Sequence, residues 1–453
     1  MSWIGPATRV HVVGVGGAGM SALARLLVEA GCVVSGSDAA ASAELDDLRT
    51  VGVTVYVGHD AAHVDGAAVV TWSPAVATDN VELTAASERG ALMVARADLF
   101  EELGRRYRVV GLAGTHGKTT ATSMMVHVLA AAGLDAARLV GARVLGVGAS
   151  GHDGPDGLVL EADESYGTFA RLTPHALGLL NVEADHLDHY GSLAALEAEF
   201  TALVERTTGP VVAWVDDEGA RRVVAAAKRP CDAVALDVPA RWRVADVNVT
   251  RDGSTFSVRG PYTDVNIELA VAGRHAVADA AVVAVLALVD GVDPAAVVAG
   301  LGAFRGAPRR FERRGEWRGV AVYEDYAHLP GEIAATLDAL HAVGYDRVTA
   351  VFQPHRVTRT LALADAFAPS FDAARHVVVT DVYRAGEANP AGVTGEVVAN
   401  PLRARRGGDV TYAPSSTDVV AALVELHDDS DVIVLLGAGD VAGVVADLPD
   451  GLT

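Results

Sequence analysis

Short apolar runs that stop at glycine-rich or strongly polar residues, each followed by a stretch with helical spacing, recur along most of the chain. Arg9 to Val13 runs straight into Gly14-Val15-Gly16-Gly17-Ala18-Gly19, and a helical pattern follows from Met20 to Ala30. Cys32 to Gly36 is the next apolar run and ends at Ser37-Asp38; runs at Val53–Val57 and Ala67–Thr71 and a helix-like Asn80–Arg89 continue the alternation. Asp98–Arg106 is a helical connector. Tyr107–Val110 predicts a strand, and Ala121–Leu129 a helix beyond a second glycine-rich stretch. Further strands are predicted at Leu158–Leu160, Leu177–Leu180 and Val211–Val215. From Cys231 to Leu269 the pattern changes to short alternating segments such as Ser254-Thr255-Phe256-Ser257-Val258, which predict antiparallel strands. The alanine- and valine-rich Ala276–Val289 then reads as a buried helix. Beyond Gly306-Ala307-Pro308, strands at Val320–Tyr323, Val348–Phe352, Val377–Thr380, Val410–Tyr412 and Val432–Leu436 alternate with helices. Such alternation predicts α/β architecture with parallel sheets.

The two glycine stretches add chemistry to this pattern. Strand, G-x-G-x-x-G, helix, second strand and an acidic residue about 20 positions on form a Rossmann fingerprint, whose geometry holds a diphosphate at a helix N-terminus. Gly111-Leu112-Ala113-Gly114-Thr115-His116-Gly117-Lys118-Thr119-Thr120 reads as a phosphate cradle of the P-loop type, although Leu112 stands where its first glycine usually falls. Backbone N–H groups and the helix dipole favour an anion there, the lysine adds a full charge, and the hydroxyl after it can ligate magnesium. Among 36 basic residues only Lys118 and Lys228 are lysines, so a lysine at this point suggests that a point charge matters. The predicted fold is thus α/β in three domains. Residues 1–105 form a Rossmann-like domain, 106–306 a central P-loop ATPase-like domain with an appended antiparallel segment, and 307–453 a Rossmann-like C-terminal domain.

A chain of 453 residues suits three domains. A net charge of −22 argues against nucleic acid and anionic membranes as partners, and it obliges any polyanionic substrate to find locally basic pockets. Cys32 and Cys231 make no metal-type pair and no disulfide framework, which suits a reducing cytoplasm. Met1 to Pro6 carries no basic region followed by an apolar core, and the longest apolar runs are too short to span a bilayer. A cytoplasmic protein is expected.

Polar clusters at the ends of predicted strands complete the candidate chemistry. Glu161-Ala162-Asp163-Glu164-Ser165 and Asn181 to Tyr190 directly follow apolar strands, as hard oxygens and a histidine holding magnesium against phosphates would. Trp72-Ser73-Pro74-Ala75 ends another strand. A basic cluster, Arg305, Arg309, Arg310, Arg313 and Arg314, reads as an anion-facing hinge in so acidic a protein. Further on come Glu324 to His328, Gln353 to Arg359, Asp381-Val382-Tyr383 and Gly437 to Asp440. Arg356 and Arg359, three apart at a helix start, suit bidentate grip on a small carboxylate.

Together these stretches resemble the Mur ligase family across nearly the whole chain. The resemblance is carried by Gly14–Met20, Gly114–Thr120, Glu161–Ser165, Asn181–Tyr190, Arg309–Glu312, Asp325–His328, Phe352–Thr360, Asp381–Glu387 and Gly437–Val441. It implies an ATP- and magnesium-dependent amide-forming enzyme that phosphorylates a carboxylate and then ligates an amine. The absence of lysine between Gly191 and Thr208, where several family members carry a carbamoylated lysine, points to the branch that adds L-alanine to UDP-N-acetylmuramate. By the resemblance, Gly14, Gly16, Gly17, Gly19, Met20, Asp38 and Ser73 bind the UDP-sugar. Gly114, Thr115, His116, Gly117, Lys118, Thr119, Thr120, Arg310 and Asp325 bind ATP. Thr119, Glu161 and His186 hold metal, as two Mg2+ ions. Asn181 and His328 join Lys118, Glu161 and His186 in catalysis, and His355, Arg356 and Arg359 seat the amino acid. The implied partners are these small molecules, with no nucleic acid or membrane, and the chain acting as monomer or homodimer. Tyr166, Asp279, Leu329 and Val357 depart from the family's motifs, chiefly on the substrate side. A divergent ligase using another amino acid or acceptor, and a non-catalytic UDP-sugar and ATP sensor, are the alternatives.

Overall fold

The computed structural model describes residues 3–453, which divide into two compact units. One comprises the chain up to Asn248 with Thr255–Ala270 and Ala276–Arg305; the other comprises Val249–Ser254, Val271–His275 and Gly306–Thr453.

The first unit contains two sheets. Its N-terminal sheet has five parallel strands in the order Thr54–Val57, Val33–Asp38, Arg9–Val13, Val69–Trp72, Leu92–Val94. Strand order reverses beside Arg9–Val13, and the carboxyl end of a strand at such a reversal is where open α/β sheets bind ligands. Ten strands form the other sheet, in which Val109–Ala113 lies between Leu158–Ala162 and Ala176–Leu179, parallel to both. The carboxyl ends of these three neighbours deliver Gly114, Glu161 and Asn181 to one sheet edge.

Several predicted elements shift. The strand predicted at Tyr107–Val110 begins at Val109 and runs on to Ala113, because every residue of that run is buried between two partner strands; the glycine loop shrinks to Gly114–Gly117. Ala136–Leu139 and Gly151–Pro155 were not predicted as strands, their sequences being too small and polar to show an apolar run. The segment after Cys231 is not a purely antiparallel appendage. Asp232–Ala235 pairs in parallel with both Val211–Trp214 and Trp242–Thr250, and the later strands extend the same sheet. A two-residue turn at 251–252 returns the chain, so Gly253–Arg259 runs antiparallel to its neighbour.

In the second unit, six strands are ordered Glu312–Trp317, Val320–Asp325, Val432–Leu436, Val348–Phe352, His376–Val379, Val410–Tyr412. All pairings are parallel except the first. Glu312–Trp317 corrects the reading of the basic cluster as a hinge: Arg313 and Arg314 sit in an edge strand, where charged residues are tolerated and discourage further pairing.

Within the first unit one continuous core joins residues of both sheets, from Val10, Leu23 and Leu27 to Leu139, Leu158 and Phe200. The backbones approach closely at Gly151, where a Cβ would lie 1.8 Å from the carbonyl oxygen of Ala22. Gly151→Ala is therefore expected to force strand and helix apart and cost about 1–3 kcal/mol. Urea denaturation measures this, and an unchanged midpoint would refute the contact.

Candidate functional site

The loop Gly114–Gly117 closes around the end of its strand by bonding to the neighbouring strand end. His116 N donates to Asn181 Oδ1 (2.8 Å), Asn181 Nδ2 donates to His116 O (3.1 Å), and Thr115 N donates to Asn181 O (3.2 Å). Glu183 N donates to Thr115 Oγ1 (2.9 Å), and His116 Nε2 lies 3.1 Å from Glu183 Oε2. Asn181, expected among the catalytic residues, thus shapes the loop. Gly117 has φ +80° and caps the helix Lys118–Ala131. With no capping side chain there, the first N–H groups of the helix are available to an anion. Asp279, buried on the Arg274–Val289 helix, stands close by: a Cβ on Gly117 would lie 2.6 Å from its Oδ1. Thr120 follows in the first turn of the loop helix.

Lys118 folds over the loop rather than away from it. Its Nζ donates to Gly114 O (2.6 Å), Thr115 O (3.1 Å) and both oxygens of Glu164 (2.8 and 3.0 Å). Burial works against the ammonium's charge, but Glu164, then Asp163 and Glu161, outweigh it and hold the pKa above the ordinary lysine value. Burial pushes the Glu164 carboxyl up to about 7 against the pull of Lys118. The side chain of Lys118 is 15% exposed.

Two groupings of hard ligands flank this lysine. Glu161 Oε1 accepts from Gly141 N (2.5 Å), and Thr119 Oγ1 and both Glu161 oxygens lie 3.1–3.3 Å from the same Gly141 Cβ position. Expected as a partner of Glu161, His186 instead groups with Glu164 and Asp185, whose ligand atoms lie within 4.8 Å of one another. A hydroxyl and a carboxylate at a phosphate loop fit magnesium, a hard cation that prefers oxygen.

At the N-terminal sheet, Gly14 N and Val15 N donate to Ser37 O, and Gly16 N donates to Asp38 Oδ2 (2.9 Å). Gly14, at φ +78°, packs against Ser73, which a Cβ would approach to 3.0 Å. Gly17 caps the helix Ala18–Glu29; Gly19 and the buried Met20 lie in its first turn. The structure thus gathers the seven residues expected here around one switch point. Sequence reasoning passed over Glu82, which is fully buried beneath them and accepts from Ser37 Oγ (2.5 Å), with His59, His63 and His11 around it. Burial opposes its charge, but the bonds from those groups hold it down at about 2. Arg96, which ion-pairs with Asp163, was also passed over, since a lone arginine at a helix start carries no sequence signal.

In the second unit, Asp325 Oδ2 accepts from Phe311 N (2.7 Å) and Oδ1 from Ala327 N (2.8 Å), while burial raises its pKa to about 6. Arg310 stacks on Tyr326 at 4.5 Å. Arg309 and Arg314 both pair with the buried Glu324, and Arg309 also donates to Gly437 O and Gly439 O. These two partly exposed guanidiniums are engaged by a buried carboxylate, which narrows the anion-facing reading of the cluster. His328 lies beside His355, ring centroids 5.7 Å apart, and its Nδ1 is 3.2 Å from Glu332 Oε2. Arg356 caps the helix Val357–Ser370 with φ +69° and donates through Nε to Glu387 Oε1 (2.7 Å). Arg359 reaches His355 Nδ1 at 3.3 Å. His328, His355, Arg356 and Arg359 therefore gather at one place, joined by Tyr383 and Glu387 from the Asp381–Glu387 stretch that the sequence already marked.

Three family models cover most of the chain. The Mur ligase family catalytic domain matches residues 9–108, the Mur ligase middle domain 112–287, and the Mur ligase glutamate ligase domain 309–439. The chain is 40% identical over 451 residues to a UDP-N-acetylmuramate–L-alanine ligase of Thermobifida fusca, covering 96% of this chain and 94% of that one. It is 41% identical over 449 residues to an enzyme of the same name from Salinibacter ruber, covering 97% and 94%. Among solved structures, UDP-N-acetylmuramate–alanine ligase MurC from Thermotoga maritima superposes with a TM-score of 0.80 at 27% identity, covering 96% and 97%. A murein peptide ligase from Psychrobacter arcticus gives 0.73 at 25%, covering 98% of each chain.

Burial, then the charges of His328, Arg359 and Arg356, lower His355 to about 3. The unfolded chain takes up that proton near pH 6.5, so the stability linked to neutral His355 is complete above 6.5 and is lost as pH falls towards 3. His355→Asn should flatten this part of the pH dependence of unfolding free energy. Parallel wild-type and variant curves between pH 6.5 and 4 would refute it.

Proposed function

The chain belongs to the Mur ligase family, and from that premise we propose that it ligates L-alanine to the carboxylate of UDP-N-acetylmuramate, converting ATP to ADP and phosphate. It is an ATP-dependent amide-forming ligase of peptidoglycan precursor synthesis, acting on small molecules. The reading is supported above all by the meeting of Lys118 with the Glu161–Glu164 and Asn181–His186 strand ends, on a chain that aligns end to end with L-alanine ligases. Residues 1–105 would take the UDP-sugar, 106–306 ATP and 307–453 the amino acid. Among the described residues no helix is long and apolar enough to cross a membrane, and we assign the enzyme to the cytoplasm.

The chemistry joins two anions, so charge neutralisation and positioning matter more than a protein nucleophile. Lys118 and the N–H groups of the loop would hold the β- and γ-phosphates while a carboxylate oxygen of the muramyl group attacks the γ-phosphorus and ADP leaves. The amine of L-alanine, freed of its extra proton, then attacks the acyl carbon, and the tetrahedral intermediate expels phosphate to leave the amide. Arg356 and Arg359 would hold the alanine carboxylate, with His328 and His355 beside it; Arg310 and Asp325 belong to the ATP site in this reading. Thr119 with Glu161 would hold one Mg2+, and His186 with Glu164 and Asp185 a second. Bound there, magnesium supplies positive charge against the phosphate oxygens.

A second reading, a ligase for another amino acid or a peptide, is favoured by Tyr166, Leu329 and Val357 and by the likeness to a murein peptide ligase. Phosphate release with ATP, Mg2+ and UDP-N-acetylmuramate across amino acids and short peptides separates the two. L-Alanine should be preferred, whereas preference for L-serine, glycine or a peptide would establish the second. Lys118→Ala should lower turnover by at least roughly a hundredfold while UDP-sugar affinity stays near wild type. Retention of more than a few per cent of activity would disprove the assignment of the phosphate site.

A further inference from the structure

The first glycine loop has no cation of its own, since Gly14 to Met20 includes no basic residue. A diphosphate there would meet only backbone N–H groups and a helix end, in a protein of net charge −22. A guanidinium comes to it from a later part of the chain. Arg96 is the first residue of the helix Arg96–Arg106, and its two terminal nitrogens lie 2.5 and 2.6 Å from the point that a Cβ on Gly19 would occupy. The absence of a side chain at Gly19 therefore lets a guanidinium sit against the first turn of the helix whose dipole faces the loop.

Two further observations concern what this guanidinium does. Only 17% of the Arg96 side chain is exposed, yet among the described residues its guanidinium donates no hydrogen bond. Its ion-pair partner, Asp163 Oδ2, stands at 3.7 Å, too far for one. The ring of Phe100, 5.7 Å away, supplies a face but no acceptor. A largely buried guanidinium with unused donors can take an anion, and its fork matches two oxygens of a phosphate or a carboxylate. Asp163 for its part is well provided: its oxygens accept from Ser165 N (3.0 Å) and Ser165 Oγ (2.7 Å). Burial opposes its charge, but Arg96, then Lys118 and the Ser165 bonds, keep its pKa below the ordinary value.

We propose that Arg96 is a binding residue for the diphosphate of the nucleotide-sugar, and that Asp163 competes with that diphosphate for its guanidinium. The proposal rests on the reading of residues 1–105 as the UDP-sugar domain. When the guanidinium turns to the diphosphate, the Asp163 carboxylate is left to act on Lys118, so occupancy of the first loop is felt at the second.

Calorimetric titration of UDP and of UDP-N-acetylmuramate, without ATP, into wild type, Arg96→Ala, Arg96→Lys and Asp163→Asn tests this. Arg96→Ala should weaken both ligands about 10- to 100-fold, the loss of a charge-assisted hydrogen-bonded partner. Arg96→Lys, which keeps the charge without the fork, should fall between. Asp163→Asn should tighten both ligands severalfold, because the competitor is removed. A purely structural ion pair predicts the opposite for the last variant: Arg96→Ala and Asp163→Asn would then weaken binding alike, or leave it unchanged, and either result overturns the proposal. Arg96→Lys guards against a folding defect in the alanine variant, because equal binding by lysine and arginine would also overturn the fork's role. Failure of the wild type to bind either ligand would instead refute the nucleotide-sugar reading itself.

Discussion

The Lys118 ammonium is the tie that holds the phosphate half of the site together. It bonds to two carbonyls of its own loop and to both oxygens of Glu164, so loop, helix start and adjacent strand end share one charged centre. Burial alone would strip such a group of its proton; the carboxylates around it keep it charged. Those same carboxylates repel an incoming triphosphate. Under the proposed ATP reading, a phosphate meeting Lys118 would compete with Glu164 for the ammonium.

The same economy runs through the rest of the molecule. Several cations of the second unit are already engaged: Arg309 and Arg314 by Glu324, Arg356 by Glu387. In the proposed reading, anion recognition would fall largely to backbone N–H groups at strand ends. That arrangement needs glycine where a carboxylate or guanidinium presses close, as at Gly16 beside Asp38, Gly117 beside Asp279 and Gly19 beside Arg96. Each of these glycines is small because of a specific charged neighbour.

Where the sequence was decisive, strands were largely apolar and stopped at glycine, proline or polar residues. Val348–Phe352, Val410–Tyr412 and Val432–Leu436 have the predicted bounds, and both glycine loops fall at strand ends in parallel sheets. Edge strands hid, because Glu312–Trp317 and Gly151–Pro155 carry the charges and glycines of exposed or closely approached backbone. Within Glu161–Ser165 the sequence could not tell which carboxylate meets which partner. The chain turns sharply after Glu164, with Tyr166 at φ 55°, and this turn accompanies Glu164 on Lys118 and beside His186 while Glu161 stays with Thr119 and Gly141. Arg96 was invisible for a simpler reason: its meaning lies in contacts distant along the chain.

The second unit is not a single run of sequence. Val249–Ser254 and Val271–His275 are drawn from the midst of the first unit's strands, and Ala272 lies in the same core as Ile333, Phe352 and Val434. His275 packs edge-on to Phe311, and burial lowers its pKa to about 4. A fragment begun at Gly306 would be missing two pieces of its own interior, and its complement would carry those pieces with nothing to bury them. Dissection at the obvious linker would yield two damaged halves, so biosynthesis must release most of the polypeptide before the last unit can finish packing.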